Sequence, residues 1–469
     1  MGLGLSLILA IGGAARFVMV GGESFWYDEV VTMRLARAGS VSSMLTLLDQ
    51  IDATRAPLHP FLLSGWLRAF GASEFSGRSF SATCGIATIL VVFAIGRRLG
   101  GRGAGLWAAF LAATSPLMIT YDREARMYAL LTLLTSLAWW NLLAFGSAST
   151  WRRAATHVAL LAALVYTHPL GVLMSATLGL GAIVDRRRGG WSLSRLIAVH
   201  AAWVVAISPW IRHYLDHAPE STSGRLPLKF LAGMPIGFTG GNSSTLALFV
   251  SLIVVGLLPW AIPALSRRVE RPLWWPLVVW FVGPPTILFA YSWIGHPIFG
   301  PARYNVYVAP AFCLLVGCGL ARLRFLAQFT MAWALPSFAM MGLMSEVDHH
   351  VRKAAWREAA EYLDETAPSA PIIVIPPGTG RNFEVEVARY YLGDRRLILP
   401  MPGATVDDAL AKLGPRSGVV FFSASVRNMT PAGAVPDELN VDGRVVRHID
   451  FRASLRLFRI TVGPVRDRR

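Results

Sequence analysis

The segment Tyr121-Asp122-Arg123-Glu124-Ala125-Arg126-Met127-Tyr128 sets two acids and two arginines between two long apolar stretches. Charge at the mouth of a membrane helix is costly and is usually kept for function. A second acidic pair, Asp28-Glu29, directly follows the first apolar stretch, in Ser24-Phe25-Trp26-Tyr27-Asp28-Glu29. On one side of a membrane these clusters make a carboxylate-and-arginine site at its surface, suited to acid–base and anion-binding chemistry. Arg303-Tyr304 and three histidines, His59, His168 and His296, add side chains of the same kind, and each histidine precedes a proline.

Such a site needs apolar elements to hold it, and the composition supplies them. The 469 residues are 54% hydrophobic and only 15% charged, with a mean hydropathy of +0.48. That is the balance of a polytopic membrane protein, since a soluble chain of this length needs more charge to cover its surface. The net charge of +16 does not point to nucleic acid, because the arginines sit in short clusters between apolar runs. Cys84, Cys313 and Cys318 all fall inside apolar runs and read as small packing residues. Met1–Ala15 lacks a basic leader region, so a retained first helix is expected.

About eleven spans can be placed, at roughly 17–25 residues each. They lie near 3–21, 78–96, 104–121, 125–146, 154–168, 169–185, 194–212, 244–265, 272–294, 303–321 and 325–345. Arg16 weakens the first and is expected to snorkel to the outer interface. Basic loops then orient the set. Arg97-Arg98 with Arg102, Arg152-Arg153, Arg186–Arg188, Arg267-Arg268 with Arg271, and Arg322 with Arg324 occupy alternate turns. The opposite turns carry both acidic clusters, His168, the stretch 213–243 and His296–Arg303. The expected topology therefore has a cytoplasmic amino end, with the site and the carboxyl end outside the plasma (inner) membrane.

Residues 22–77 form a long first outer loop. Helical spacing over Glu29–Leu48 predicts a helix on the membrane surface, and Phe61–Phe70, opened by His59-Pro60, a second juxtamembrane one. If this region inserts, the count rises to thirteen. Residues 1–345 are read as the transmembrane domain and 346–469 as a small extracytoplasmic α/β domain. Its expected elements are helices over 356–365, 383–392 and 406–413, strands over 371–375, 397–399 and 419–422, and a hairpin from 445–451 and 455–462. Pro376-Pro377-Gly378-Thr379-Gly380 reads as a Gly/Pro turn and not as a phosphate loop.

The order of these motifs resembles a known family. Trp-Tyr-Asp-Glu at 26–29, Ala-Pro-Leu-His-Pro at 56–60, Gly96–Gly100, Ser115-Pro116, Arg-Glu-Ala-Arg-Met-Tyr at 123–128, Tyr166-Thr167-His168 and Ala302-Arg303-Tyr304 carry the likeness over roughly 1–365. They are similar to the GT-C superfamily of polytopic glycosyltransferases, in particular bacterial family-39-like enzymes related to protein O-mannosyltransferases and aminoarabinose transferases. The resemblance implies sugar transfer from a polyprenyl-phosphate carrier to an acceptor hydroxyl on the outer membrane face, with inversion. An alcohol needs a carboxylate within reach of its proton, and the family's acidic position falls on Asp28, with Glu29 beside it. The departing phosphate needs preorganised positive charge, for which Arg126, Arg123 and Arg303 with Tyr304 are available, arginine's fork suiting phosphate oxygens. Asp122 would orient the acceptor or an arginine, or bind a metal.

Each residue also has a plainer reading. Asp28-Glu29 would cap the following helix, the 122–126 cluster would be an interfacial salt-bridge set, and Arg303-Tyr304 an anchor pair. His59, His168 and His296 with Asp28 or Asp122 offer a divalent metal ion or an acceptor site, though their separation is not a ligand spacing. Trp139-Trp140 and Trp274-Trp275 read as an interfacial belt, with some rings free to line a groove for the prenyl tail. A polyprenyl-lipid transporter or flippase is the rival, for which Gly283-Pro284-Pro285 would be a broken helix near the midplane. A non-catalytic assembly partner is another. Expected partners are the lipid donor, a lipid, glycan or protein acceptor, and the bilayer.

Overall fold

A computed structural model describes residues 2–145, 150–185, 192–217, 274–294, 302–323, 328, 355–366, 368, 372–374, 383–393, 397–398, 418–425, 445–451 and 455–462. The expected spans near 244–265 and 325–345, the helix over 406–413, the turn at 376–380 and His296 lie outside them. The chain divides into two compact units. One comprises Met1–Val20 with Leu35–Glu346, and the other Gly21–Arg34 with Val347–Arg469.

The first unit is helical. Its elements are α1 (Leu3–Phe17), α3 (Val41–Asp52), α4 (Leu58–Phe70), α5 (Glu74–Gly100), α6 (Arg102–Thr114), α7 (Pro116–Asp122), α8 (Tyr128–Phe145), α9 (Trp151–Thr167), α10 (Gly171–Asp185) and α11 (Leu193–Asp216). Helices Trp274–Ile294 and Ala309–Leu320 follow, the latter led by two short 3-10 turns, Ala302–Tyr304 and Val306–Val308. Side-chain hydroxyls start several of them. Ser73 accepts from the Ser76 N–H to cap α5, and Thr150 and Ser192 cap α9 and α11 in the same way.

Among the described residues three helices are long and apolar enough to cross a membrane, Glu74–Gly100, Leu193–Asp216 and Trp275–Trp293. A fourth span is available if α6 and α7 count as one across their 58° bend. The span expected near 104–121 is thus two helices meeting at a bend. Pro116 has no N–H to continue the ladder, and Ser115 instead accepts from the Met118 N–H and caps a new helix. The helix Trp274–Ile294, by contrast, runs unbroken through Pro284-Pro285, so the broken helix that would have favoured a transporter does not form.

The core joins Ile89, Val92, Ala108, Ala112, Trp139, Leu142, Leu178, Trp280 and Leu314. Trp139 belongs to it and not to an interfacial belt, since it is 1% exposed and stacks on Trp280 with ring centroids 5.4 Å apart. Cys84, Cys313 and Cys318 are buried and unpaired with one another, as packing residues should be.

The second unit contains most of α2 (Tyr27–Ala36), the helices Trp356–Thr366 and Phe383–Leu392, and five strands, β1 (Ile372–Val374), β2 (Leu397–Ile398), β3 (Gly418–Ser425), β4 (Val445–Phe451) and β5 (Leu455–Val462). The strands form one mixed sheet in the order β2-β1-β3-β5-β4. β1 lies parallel to β2 and β3, while β5 pairs antiparallel with β3 and β4. Where one surface helix was expected over Glu29–Leu48, α2 and α3 are separate, and Ser40 caps the second.

Candidate active site

The two acidic clusters expected to work together fall in different units, and each is shaped by its own surroundings. In the second unit Asp28 and Glu29 occupy the first turn of α2. Glu29 is 0% exposed, and its carboxylate accepts the Trp26 N–H at 3.4 Å. That is half of a capping box, an acid at the third helical position reaching back to the residue before the helix. Asp28 is only half-buried, and its carbonyl receives the Thr32 hydroxyl at 2.9 Å. One acid of the pair is thus tied to the helix end, and the other stands at that end with partial access to solvent.

In the first unit Asp122 closes α7, and its Oδ2 lies 2.7 Å from Arg16 Nε, with side chains 2% and 0% exposed. Arg16 does not snorkel to an interface. Its remaining nitrogens donate to the carbonyls of Ala112, Ala113 and Gly12 at 3.0–3.1 Å. Ala112 and Ala113 end α6 just before Pro116, so their carbonyls lack the donors a continuous helix would provide. Arg16 replaces those donors, and Asp122 balances its charge. Gly85 makes room for the pair, since a Cβ there would lie 2.3 Å from Asp122 Oδ2 and 2.8 Å from Arg16 Nε.

Arg123 is also engaged with α1, donating from Nη1 to the Ala15 carbonyl at 3.1 Å. Arg126 takes another direction. The sequence placed it inside the following helix, but α8 begins at Tyr128 and Arg126 sits in the preceding turn. There its N–H donates to the Glu124 carbonyl at 2.7 Å, and its own carbonyl accepts the Ser81 hydroxyl at 3.2 Å.

From Arg126 a run of side chains crosses the unit. Its guanidinium lies 5.7 Å from the centre of the Tyr128 ring. Tyr128 is 6.1 Å from His168, and His168 is 6.0 Å from Tyr304, centre to centre. Arg303 completes the run, 5.1 Å over the Tyr304 ring. The sequence expected Arg126, Arg303, Tyr304 and His168 to share a face, and these ring contacts link them. Tyr128, the last residue of the charged motif, is the member it assigned no role.

His168 ends α9 in a tight turn. Its Nδ1 accepts the Leu170 N–H at 3.0 Å, which leaves Nε2 to carry the proton of the neutral ring. Gly171 donates to the His168 carbonyl at 2.7 Å, and a Cβ at Gly171 would sit 2.2 Å from the Leu164 carbonyl. His59 is 2% exposed and packs edge-on against Phe80 at 5.6 Å. Burial, reinforced by the charge of Arg126, pushes its imidazole down to about 3. Among the described residues no three of His, Cys, Asp or Glu gather to hold a metal ion.

An apolar groove of about 520 Å³ opens elsewhere in the same unit, lined by Met44, Phe61, Tyr166, Pro209, Trp210 and His213 among others. Trp210 and His213 stack there at 4.8 Å.

Comparison with known proteins adds a family match over part of the chain and a fold. Residues 54–213 match the family model of dolichyl-phosphate-mannose-protein mannosyltransferases. The chain is similar in structure to ArnT from Cupriavidus metallidurans bound to undecaprenyl phosphate, at 16% identity and a TM-score of 0.60 over 97% of each chain. The apo state of that protein gives 15% identity and a TM-score of 0.63 at the same coverage. An Archaeoglobus fulgidus oligosaccharyltransferase in the apo form is similar at 11% identity and a TM-score of 0.51, over 90% of this chain and 69% of that one. A comparison with curated proteins returns no match.

Proposed function

We propose that this chain is a GT-C-like membrane glycosyltransferase, similar to the family and folds it matches, and that it moves a sugar from a polyprenyl-phosphate carrier to an acceptor hydroxyl outside the plasma membrane. The run Arg126–Tyr128–His168–Tyr304–Arg303 is the observation that carries this reading. It sets two guanidiniums at the ends of a row of rings. Cations arranged in this way suit the phosphate of a lipid-linked sugar. The ArnT structure bound to undecaprenyl phosphate supports a donor of that class.

In the proposed step the acceptor oxygen attacks the anomeric carbon as its proton passes to a carboxylate. The bond from that carbon to the phosphate oxygen breaks, and its electron pair leaves with the polyprenyl phosphate. Inversion follows from a single displacement. Asp28 is the proposed base, since Glu29 is committed to the start of α2, and a base must stand within reach of the proton it removes. Arg126 and Arg303 receive the growing charge of the phosphate, where fixed donors act without reorganising. Arg123, with one nitrogen on the Ala15 carbonyl, and Tyr304 support them. The groove lined by Met44, Phe61 and Trp210 suits the prenyl tail, being apolar.

The same reading takes the second unit as an extracytoplasmic α/β domain, the amino end as cytoplasmic and the spans as about eleven. Replacing Arg126 by Gln tests the donor role, because transfer should fall about 10²-fold with fixed transition-state donors removed. Undiminished transfer by that variant would remove Arg126 from the mechanism.

A further inference from the structure

The residues that hold α2 come from far along the chain. Ahead of the helix, the Phe25 N–H donates to the Tyr391 hydroxyl at 2.6 Å, and the Phe25 ring meets Tyr390 edge-on at 6.0 Å. Ser24 accepts the Arg357 N–H at 3.1 Å and donates to Glu358 at 3.2 Å. The Arg357 guanidinium donates to the carbonyls of Gly21 and Gly22 at 3.1 and 3.2 Å. At the other end, Arg34 in the last turn of α2 pairs with Glu386, whose second oxygen is held by Arg389 at 2.7 Å.

These contacts belong to one unit and bracket Asp28 from both directions. Ser24 and Phe25 are each 1% exposed, and Val30, Val31 and Met33 are fully buried. Backbone groups in such a place need a partner, and Phe25 finds its partner on a side chain hundreds of positions away. A helix fixed only by its own cap could roll or slide, whereas one tied at both ends presents its first turn in one direction. For a base, an error of about an ångström can cost roughly 10²-fold in rate.

We propose that the helices Trp356–Thr366 and Phe383–Leu392 form a cradle for α2, with Tyr391 and Glu386 as positioning residues that fix the direction in which Asp28 presents its carboxylate. Neither touches the reacting atoms. Their effect runs through the backbone of α2, which separates them from a residue that merely stabilises the fold. The proposal rests on Asp28 as the base, and its test keeps the two apart.

The test uses full-length protein in nanodiscs, comparing wild type with Tyr391→Phe, Glu386→Gln and Asp28→Asn. Hydrogen exchange is followed over residues 22–33, and transfer is measured from a radiolabelled polyprenyl-phosphate sugar to an envelope extract. Tyr391→Phe should speed exchange of the Phe25–Val30 amides and lower kcat about tenfold, the loss of one buried hydrogen bond, with donor KM within about twofold. Glu386→Gln should loosen the carboxyl end of α2 and show the same split between kcat and KM, so it decides the matter if Tyr391→Phe does not fold. Unchanged exchange in both variants overturns the cradle, with or without activity. Faster exchange at full kcat overturns its positioning role. Transfer surviving in Asp28→Asn, or absent from wild type, counts against the proposed reaction and leaves the exchange result to judge the cradle.

Discussion

Arg16 and Asp122 show how far a residue's neighbours decide its role. Each looks functional alone, an arginine in an apolar run and an acid at a membrane mouth, yet their 2.7 Å contact neutralises both. Breaking a buried pair leaves one charge uncompensated, so Arg16→Gln or Asp122→Asn should each destabilise by about 3–5 kcal/mol. Thermal unfolding in detergent would show it, and a joint Arg16→Met, Asp122→Leu replacement should recover part of the loss. His59 gives a second test. Its imidazole is neutral in the fold, held at about 3, and takes up a proton on unfolding below its ordinary 6.5. The stability it contributes is complete above that value and is lost as the pH falls towards the folded value, at up to about 1.4 kcal/mol per pH unit. His59→Phe, facing Phe80, should flatten the acid limb of a stability–pH curve, and an unchanged slope would mean that another group sets it. Arg16 was legible as an anomaly in the sequence, but its partner was not. Pairing charges from separate helices needs their rotation and depth, which hydropathy does not carry.

At the scale of elements, turns and helix ends carry the chemistry. The turn after α7 separates Asp122 from Arg126, one directed to α1 and the other to the Tyr128 ring. Gly171 keeps the turn that places His168 between Tyr128 and Tyr304, and the 2.2 Å approach to the Leu164 carbonyl leaves no room for a methyl group. Gly171→Ala should therefore shift His168 and lower transfer at least about tenfold, a factor of roughly 1.4 kcal/mol, while the apolar groove still binds a prenyl chain. Equal loss of lipid binding and transfer would show that the substitution had spread beyond this turn. The helices at 356–366 and 383–392 and the strand pair 445–451 and 455–462 lie where periodicity and turn residues expected them. The bend at Ser115-Pro116 and the separation of α2 from α3 were missed. A window of hydropathy sums over a proline and a capping serine, although each alone is a stop or start signal. Pro284-Pro285 gives the opposite lesson. The helix Trp274–Ile294 stays continuous through both prolines.

For the whole molecule, the family model and the ArnT-like fold agree with the motif order from which a GT-C membrane glycosyltransferase was expected. What sequence could not reveal is that the acid-bearing stretch Gly21–Arg34 belongs with Val347–Arg469 and not with the helices around it in the chain. Such long-range assignments leave no local pattern, because Tyr391 and Glu386 look like ordinary residues of an amphipathic helix. The proposed role of Asp28 is to remove the acceptor proton in sugar transfer from a polyprenyl phosphate. Its most direct test is turnover by purified protein in nanodiscs, with a panel of radiolabelled polyprenyl-phosphate sugars and envelope extract as acceptor, comparing wild type with Asp28→Asn. With Asp28 as the base, wild type transfers sugar from at least one donor, and that transfer disappears in a folded Asp28→Asn variant which still binds the carrier. Undiminished transfer by that variant, or none from any donor by wild type, would contradict that role.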